Sequence, residues 1–201
     1  VSYIRFIMPG LVMMAIILNS YSNVVSSFFG SKFNRSIEEL LVSPLGSSFI
    51  MLGFIGGGVF RGLLVGCIVL GVGILFTHSA IAHGFLMVLV MVLCSSLFAL
   101  AGILNGIIAQ KFDDTAIVTT FILTPLIYLG GVFYSTNLLS PFWQKLTLLD
   151  PILYTVELFR YCILGLNSHL VFGAVMMIIV LWFLLFFTCW TLLQRGFRIK
   201  S

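Results

Sequence analysis

The chain has 201 residues, of which 61% are hydrophobic and 8% charged. Soluble domains carry about 25% charged residues, so this composition excludes one and indicates an integral membrane protein. The net charge of +4 comes mainly from Lys and Arg near the ends of apolar runs, so it speaks of orientation in a bilayer and not of nucleic-acid binding.

The apolar runs are long enough for helical spans, which favours an all-α bundle over a β-barrel built from alternating strands of about ten residues. The first predicted span covers 6–29. Pro9 and Gly10 lie near its start, and Asn19, Ser20, Ser22, Asn23, Ser26 and Ser27 punctuate its second half, a pattern suited to contacts between helices. A polar stretch follows. Ser36 and Glu39 have the spacing of a capping box, and Pro44 disfavours helix in the residue before it. The helix predicted over 36–43 is roughly 10 Å long, too short to cross a bilayer. Ile37, Leu40 and Leu41 share one face, flanked by Arg35, Glu38 and Glu39. Such a helix either lies flat on lipid or docks a soluble partner, and spacing alone leaves both open.

The apolar run at 45–76 would measure roughly 48 Å as a helix, against a hydrocarbon core of about 30 Å. Its first turns are therefore expected at the interface, with the span at 47–76. Arg61 would then lie about 8 Å inside the boundary, within snorkelling reach. Gly53, Gly57, Gly58, Gly62 and Gly66 repeat a spacing that lets backbones approach, within the chain or between two copies. His78 and His83 have no carboxylate or Cys beside them and read as a solvated loop. The third span, 84–109, carries another small pair, Gly102 and Gly106. Cys67, Cys94, Cys162 and Cys189 are too scattered for a zinc site or a disulfide framework. Asp113 and Asp114 follow Lys111. Asp114-Thr115 reads as the cap of the next helix.

The fourth span is predicted over 116–134, broken by Pro125 and Gly130-Gly131. Ser140-Pro141 and Asp150-Pro151 each read as an N-cap followed by an N1 proline. The two helices they open, within 140–165, are apolar yet too short to span. A hairpin that enters the membrane and returns satisfies both facts. Glu157 and Arg160 can pair on its second helix. The last span is predicted over 170–193, before Arg195, Arg198 and Lys200. The richer share of Lys and Arg puts the 36–43 helix, the Lys111 loop and the C-terminus in the cytoplasm, and the hairpin outside. The chain starts at Val1, and its first residue would lie outside. A further span is therefore expected upstream, within about 50 more residues.

The run Arg35-Ser36-Ile37-Glu38-Glu39-Leu40-Leu41-Val42-Ser43-Pro44 resembles the E-x-x-L-L-x-[ST]-P signature of ABC-2 type transporter permeases. So does the later series of Phe133-Tyr134, Asp150-Pro151, Tyr154, Glu157, Arg160 and Leu164-Gly165, with Asp150 where the family usually has Asn. The resemblance covers essentially the whole chain. It implies a type V exporter-like helix bundle in the bacterial inner membrane, paired as a homodimer. The 36–43 segment would be a cytoplasmic coupling helix that docks a separate ABC ATPase through Arg35, Ile37, Glu38, Glu39, Leu40, Leu41 and Pro44. The re-entrant hairpin at 140–165, with Phe133 and Tyr134, would form an extracellular gate. The transported substrate would be amphipathic: a drug, a lipid-linked molecule or an oligosaccharide. No G-x-x-x-x-G-K-[ST] occurs, so this chain is expected to bind no nucleotide cofactor and to leave ATP and magnesium to its partner.

Two other classes fit less well. An ion-coupled carrier or channel needs carboxylates at membrane depth, and no Asp or Glu lies deep in a predicted span. An intramembrane serine protease needs a His at that depth, whereas His78, His83 and His169 fall at loop edges.

Overall fold

A computed structural model describes residues 3–42, 44, 46–78, 81–134, 139–165 and 171–196. Helix α1 (Tyr3–Phe33) is the hub. Its buried side chains Met8, Val12, Ile16, Tyr21, Val24 and Phe28 recur every three to five residues, so one broad stripe meets several neighbours. The neighbours are α3 (Ser47–Thr77), α4 (Gly84–Ile108) and α8 (Pro151–Leu164), with α2 (Ser36–Val42) and α5 (Phe112–Val118) at one end. Helix α4 is buried on most sides, touching α1, α3, α8 and α9 (Val171–Gln194), whereas α3 and α9 are mostly exposed. A helix apolar all round and exposed is one that faces lipid.

Five helices are long and apolar enough to cross a membrane, and the molecule is an all-helical membrane protein. α1 and α3 have 31 residues each, about 46 Å, so both outrun the hydrocarbon core. They pack antiparallel. A Cβ at Gly62 would stand 1.9 Å from Ser20 Oγ, one at Gly58 2.5 Å from Val24, and one at Gly66 2.5 Å from Ile16. On α4, Gly102 and Gly106 meet the Tyr21 carbonyl and the Phe28 ring of α1 in the same way. Gly53 and Gly57 depart from this pattern. A Cβ at Gly53 would meet nothing within 4 Å, and one at Gly57 only Asn23 Nδ2 at 3.7 Å, because both lie on the outer side of α3.

The fourth span lies earlier than the sequence predicts. It comprises α5, a π-turn at Thr119–Leu123 and α6 (Thr124–Leu129). Asp114 acts from inside the first turn: its Oδ2 accepts from the backbone N–H groups of Gln110 and Lys111, so the helix starts before it. Pro125 lacks the N–H that an α-turn needs, and the wider turn just before it accommodates the ring, with Thr124 Oγ1 donating to the Thr119 carbonyl at 2.9 Å. The span stops at Gly130, and Gly131 takes φ 71°, a left-handed value that suits glycine.

Candidate functional site

Two assemblies stand at opposite ends of the bundle. At one end, Lys32 donates from Nζ to the carbonyls of Ile107 and Ala109 at 2.8 and 2.7 Å, placing a cation on the C-terminus of α4. The rings of Phe29, Phe33 and Phe112 meet beside it, at centroid distances of 4.9 to 6.4 Å. Next, the chain reverses through Asn34 and Arg35. Arg35 adopts φ 59°, and its N–H returns to the Lys32 carbonyl. α2 then begins at Ser36, whose hydroxyl donates to the Ser31 carbonyl at 3.1 Å.

Ile37 differs from its expected place on an outward docking face. It is fully buried, in one cluster with Phe28, Met51, Ile103, Ile107 and Leu193. The physical reason is the turn at Asn34-Arg35, which lays α2 back against α1 and gives its first apolar side chain to the bundle. The face left outward carries Glu39, Leu40 and Val42, with Arg35 and Pro44 also exposed. The side chains of Glu38 and Leu41 lie outside the described residues, as do Arg198 and Lys200. Leu193 joins the buried cluster around Ile37, so the basic turn after α9, with Arg195, belongs to this end.

At the other end, α7 (Pro141–Thr147) and α8 form a pair of helices too short to span. Asp150 caps α8, its Oδ1 accepting from Ile152 N–H at 2.9 Å, with Pro151 as the first helical residue. Tyr154 Oη donates to the Leu148 carbonyl and ties the helices together. Asp150 is 3% exposed and its Oδ2 has no hydrogen-bond partner. Burial pushes its carboxyl up from the ordinary 3.8 to about 6, against the opposing pull of the Ile152 N–H. Tyr134 is half-buried nearby, and burial together with the Asp150 charge raises its phenol.

α8 turns its apolar side inward, with Ile152, Val156, Phe159 and Ile163 in the main core. Arg160 goes with them. It pairs with Glu157 at 2.6 Å, donates to the Gly131 carbonyl at 2.9 Å, and lies over the Phe6 ring at 3.9 Å. Such a cation is held by three different kinds of contact, which offsets its desolvation. Phe133 stacks on Tyr128, and its carbonyl accepts from Tyr3. The hairpin residues named from the sequence therefore meet the turn at 130–134 and the start of α1. Two members of this meeting are not identified as partners by the sequence. Phe6 looks like any apolar span residue. Gly10 packs against the Val132 backbone, where a Cβ would stand 2.6 Å from the carbonyl oxygen. A glycine beside a proline was its one visible signal.

Neither assembly has the donor set of a metal centre: among the described residues no three of His, Cys, Asp and Glu come together. α7 exposes Phe142 and Trp143 and the turn after it Leu149, an aromatic and apolar border suited to a membrane surface. The sequence profile of the ABC-2 type transporter family matches residues 2–164. The chain belongs to that family. The permease is 50% identical to the inner membrane transport permease YadH of Escherichia coli K12, over all of this chain and 78% of the relative. It is 26% identical to Nodulation protein J of Neorhizobium galegae over 97% of this chain and 75% of the relative, and 24% identical to Nodulation protein J of Sinorhizobium fredii over 80% and 62%. No solved structure matches it significantly. The permease is a multi-pass inner membrane protein and a non-catalytic transmembrane subunit.

Proposed function

We propose that this permease is the membrane half of an ATP-driven exporter, worked through α2 by a separate ATPase. The observation that carries the reading is the construction of α2. It is two turns long, anchored in the bundle by Ile37, and it offers Glu39, Leu40 and Val42 outward at the end that holds Lys32, Lys111 and Arg195. A lever of this kind passes a push from a partner into the bundle, because its anchor is buried in one cluster with residues of α1, α3, α4 and α9. The basic residues support a cytoplasmic place for that end, and for the C-terminus with it.

On this reading α7 and α8 form a re-entrant hairpin on the outer side. The contact of Arg160 with the Gly131 carbonyl and the Phe6 ring ties that hairpin to the hub helix, so movement of α1 reaches the outer gate. Two copies of the permease and two ATPases complete the exporter. ATP and magnesium are bound by the ATPase. The substrate class is an amphipathic molecule taken from the cytoplasm or inner leaflet.

Copurification tests the reading. Leu40→Ala and Glu39→Lys leave the buried anchor in place and change only the outward face. Truncating an interface anchor costs about 2 kcal/mol, roughly a thirtyfold loss of affinity, and a reversed charge adds repulsion. Both variants are expected to insert normally and to lose the copurifying ATPase. Recovery equal to wild type for both would sink the assignment of α2.

A further inference from the structure

The outer side of α1 and α3 carries a feature that the exporter reading does not use. Asn19, Ser22, Asn23 and Ser26 recur at i, i+3, i+4 and i+7, so they share one face of α1. Ser22 and Ser26 are exposed, and Asn19 and Asn23 are half-exposed. Beside this face stands Arg61 of α3, also exposed, its Nη1 donating to Asn23 Oδ1 at 3.3 Å. No carboxylate among the described residues pairs with Arg61.

Arg61 stands in from both ends of the α1–α3 pair. Arg5 Nε donates to the Thr77 carbonyl at one end of the α1–α3 pair, and Lys32 grips the end of α4 at the other. Along α3, Arg61 lies about 24 Å from Thr77. Along α1, its partner Asn23 lies about 14 Å from Lys32. Both helices outrun the hydrocarbon core by about 16 Å, so Arg61 lies within about 8 Å of its boundary, where the guanidinium can reach a headgroup. The donors around it are arranged to receive an anion. Asn23 Oδ1 is occupied by Arg61, which leaves Asn23 Nδ2 as a second donor with no described acceptor, pointing over Gly57. Gly57 and Gly53, one and two turns from Arg61 on the same side of α3, leave the space beside those donors open. The Asn19 and Ser26 side chains bond back to their own helix, donating to the carbonyls of Ala15 and of Ser22 and Asn23, so they line the face without competing for Arg61. Phe60 and Leu64 flank Arg61 as exposed apolar residues.

We propose that Arg61 and Asn23 form a binding site for the anionic headgroup of an amphiphile, of phosphate or similar chemistry, whose tail lies on the adjoining apolar surface of α3. Resting on the exporter reading, this deepens it: the substrate is a membrane-borne anion, and the polar face of α1 is the surface along which its headgroup moves.

The test uses the permease in phosphatidylcholine nanodiscs, without ATP or ATPase. Gly53→Cys carries an environment-sensitive bimane, with the exposed Cys67 replaced by Ala; the other described cysteines are buried. The probes are decyl phosphate, decyl phosphocholine, decyl maltoside and inorganic phosphate. Decyl phosphate is expected to change the emission saturably. Arg61→Gln should raise the concentration needed by about tenfold or more, Arg61→Lys by less, and Asn23→Ala by a few-fold. Decyl phosphocholine and decyl maltoside should have little effect, and inorganic phosphate none. An unchanged titration in Arg61→Gln, equal responses to decyl maltoside, or no response to decyl phosphate would overturn the site. Saturation by inorganic phosphate alone would overturn the amphiphile in favour of a free anion. ATPase copurification on the same preparation reports the exporter reading separately, so either can fail alone.

Discussion

Single atoms decide how close the two longest helices come. A Cβ at Gly62 would overlap Ser20 Oγ, itself buried without a hydrogen-bond partner, and would press on Ser95 at 3.2 Å. Gly62→Ala should therefore separate α1 from α3 and lower stability by about 1–3 kcal/mol. Gly53→Ala meets nothing and should be neutral or stabilising by up to about 1 kcal/mol. Thermal unfolding of both variants in one detergent checks the contrast, and equal losses would contradict it. Asp150 gives a second prediction. Burial pushes its carboxyl up from the ordinary 3.8 to about 6, so the folded state holds the proton more tightly. The stability this confers is full below about pH 4 and lost as pH rises through about 6, by at most about 3 kcal/mol. Asp150→Asn keeps an oxygen for the Ile152 N–H and carries no charge. Its thermal midpoint should match wild type near pH 4 and exceed it at pH 7; identical pH profiles would contradict the burial argument.

At the scale of elements, the α7–α8 pair yields a test of placement. Ser140 is exposed at the N-terminus of α7, on the end of the bundle opposite Lys32. With Cys67 replaced, Ser140→Cys should react with a membrane-impermeant maleimide from outside intact spheroplasts. Reaction only after the membrane is opened would invert the topology. Much of this architecture was legible in the sequence, because its signals are local: apolar runs against the thickness of a bilayer, and Asp-Pro and Ser-Pro as starts of α8 and α7. What was not legible depends on which way an element leans. Ile37, Leu40 and Leu41 share a face in any helix at that place, but only the turn through Arg35 decides that Ile37 goes inward. The start of the fourth span was misplaced because Asp114 reads equally well as a cap before a helix and as an N3 residue inside one. Gly53 and Gly57 carry the same spacing as Gly58 and Gly62, and only the crossing of α1 over α3 tells buried from open. Phe6 became a partner of Arg160 through a contact more than 150 residues apart, for which no spacing rule exists.

For the molecule as a whole, the buried cluster around Ile37 and the one around Phe159 both include residues of α1, so the two ends of the bundle share one hub helix. Force applied at α2 has a packed route to the hairpin, and the chain carries no phosphate-binding loop of its own. The central claim is that α2 receives that force from a separate nucleotide-binding subunit. Val42 is 87% exposed on α2, which makes it the place to look. A photoreactive benzoylphenylalanine at Val42, irradiated in cells, should cross-link the permease to a protein that carries a Walker A sequence, identified by mass spectrometry. The same group at Ser140 should not. Adducts with such a protein from Ser140 and none from Val42, or from neither position in cells where transport is intact, would contradict the account.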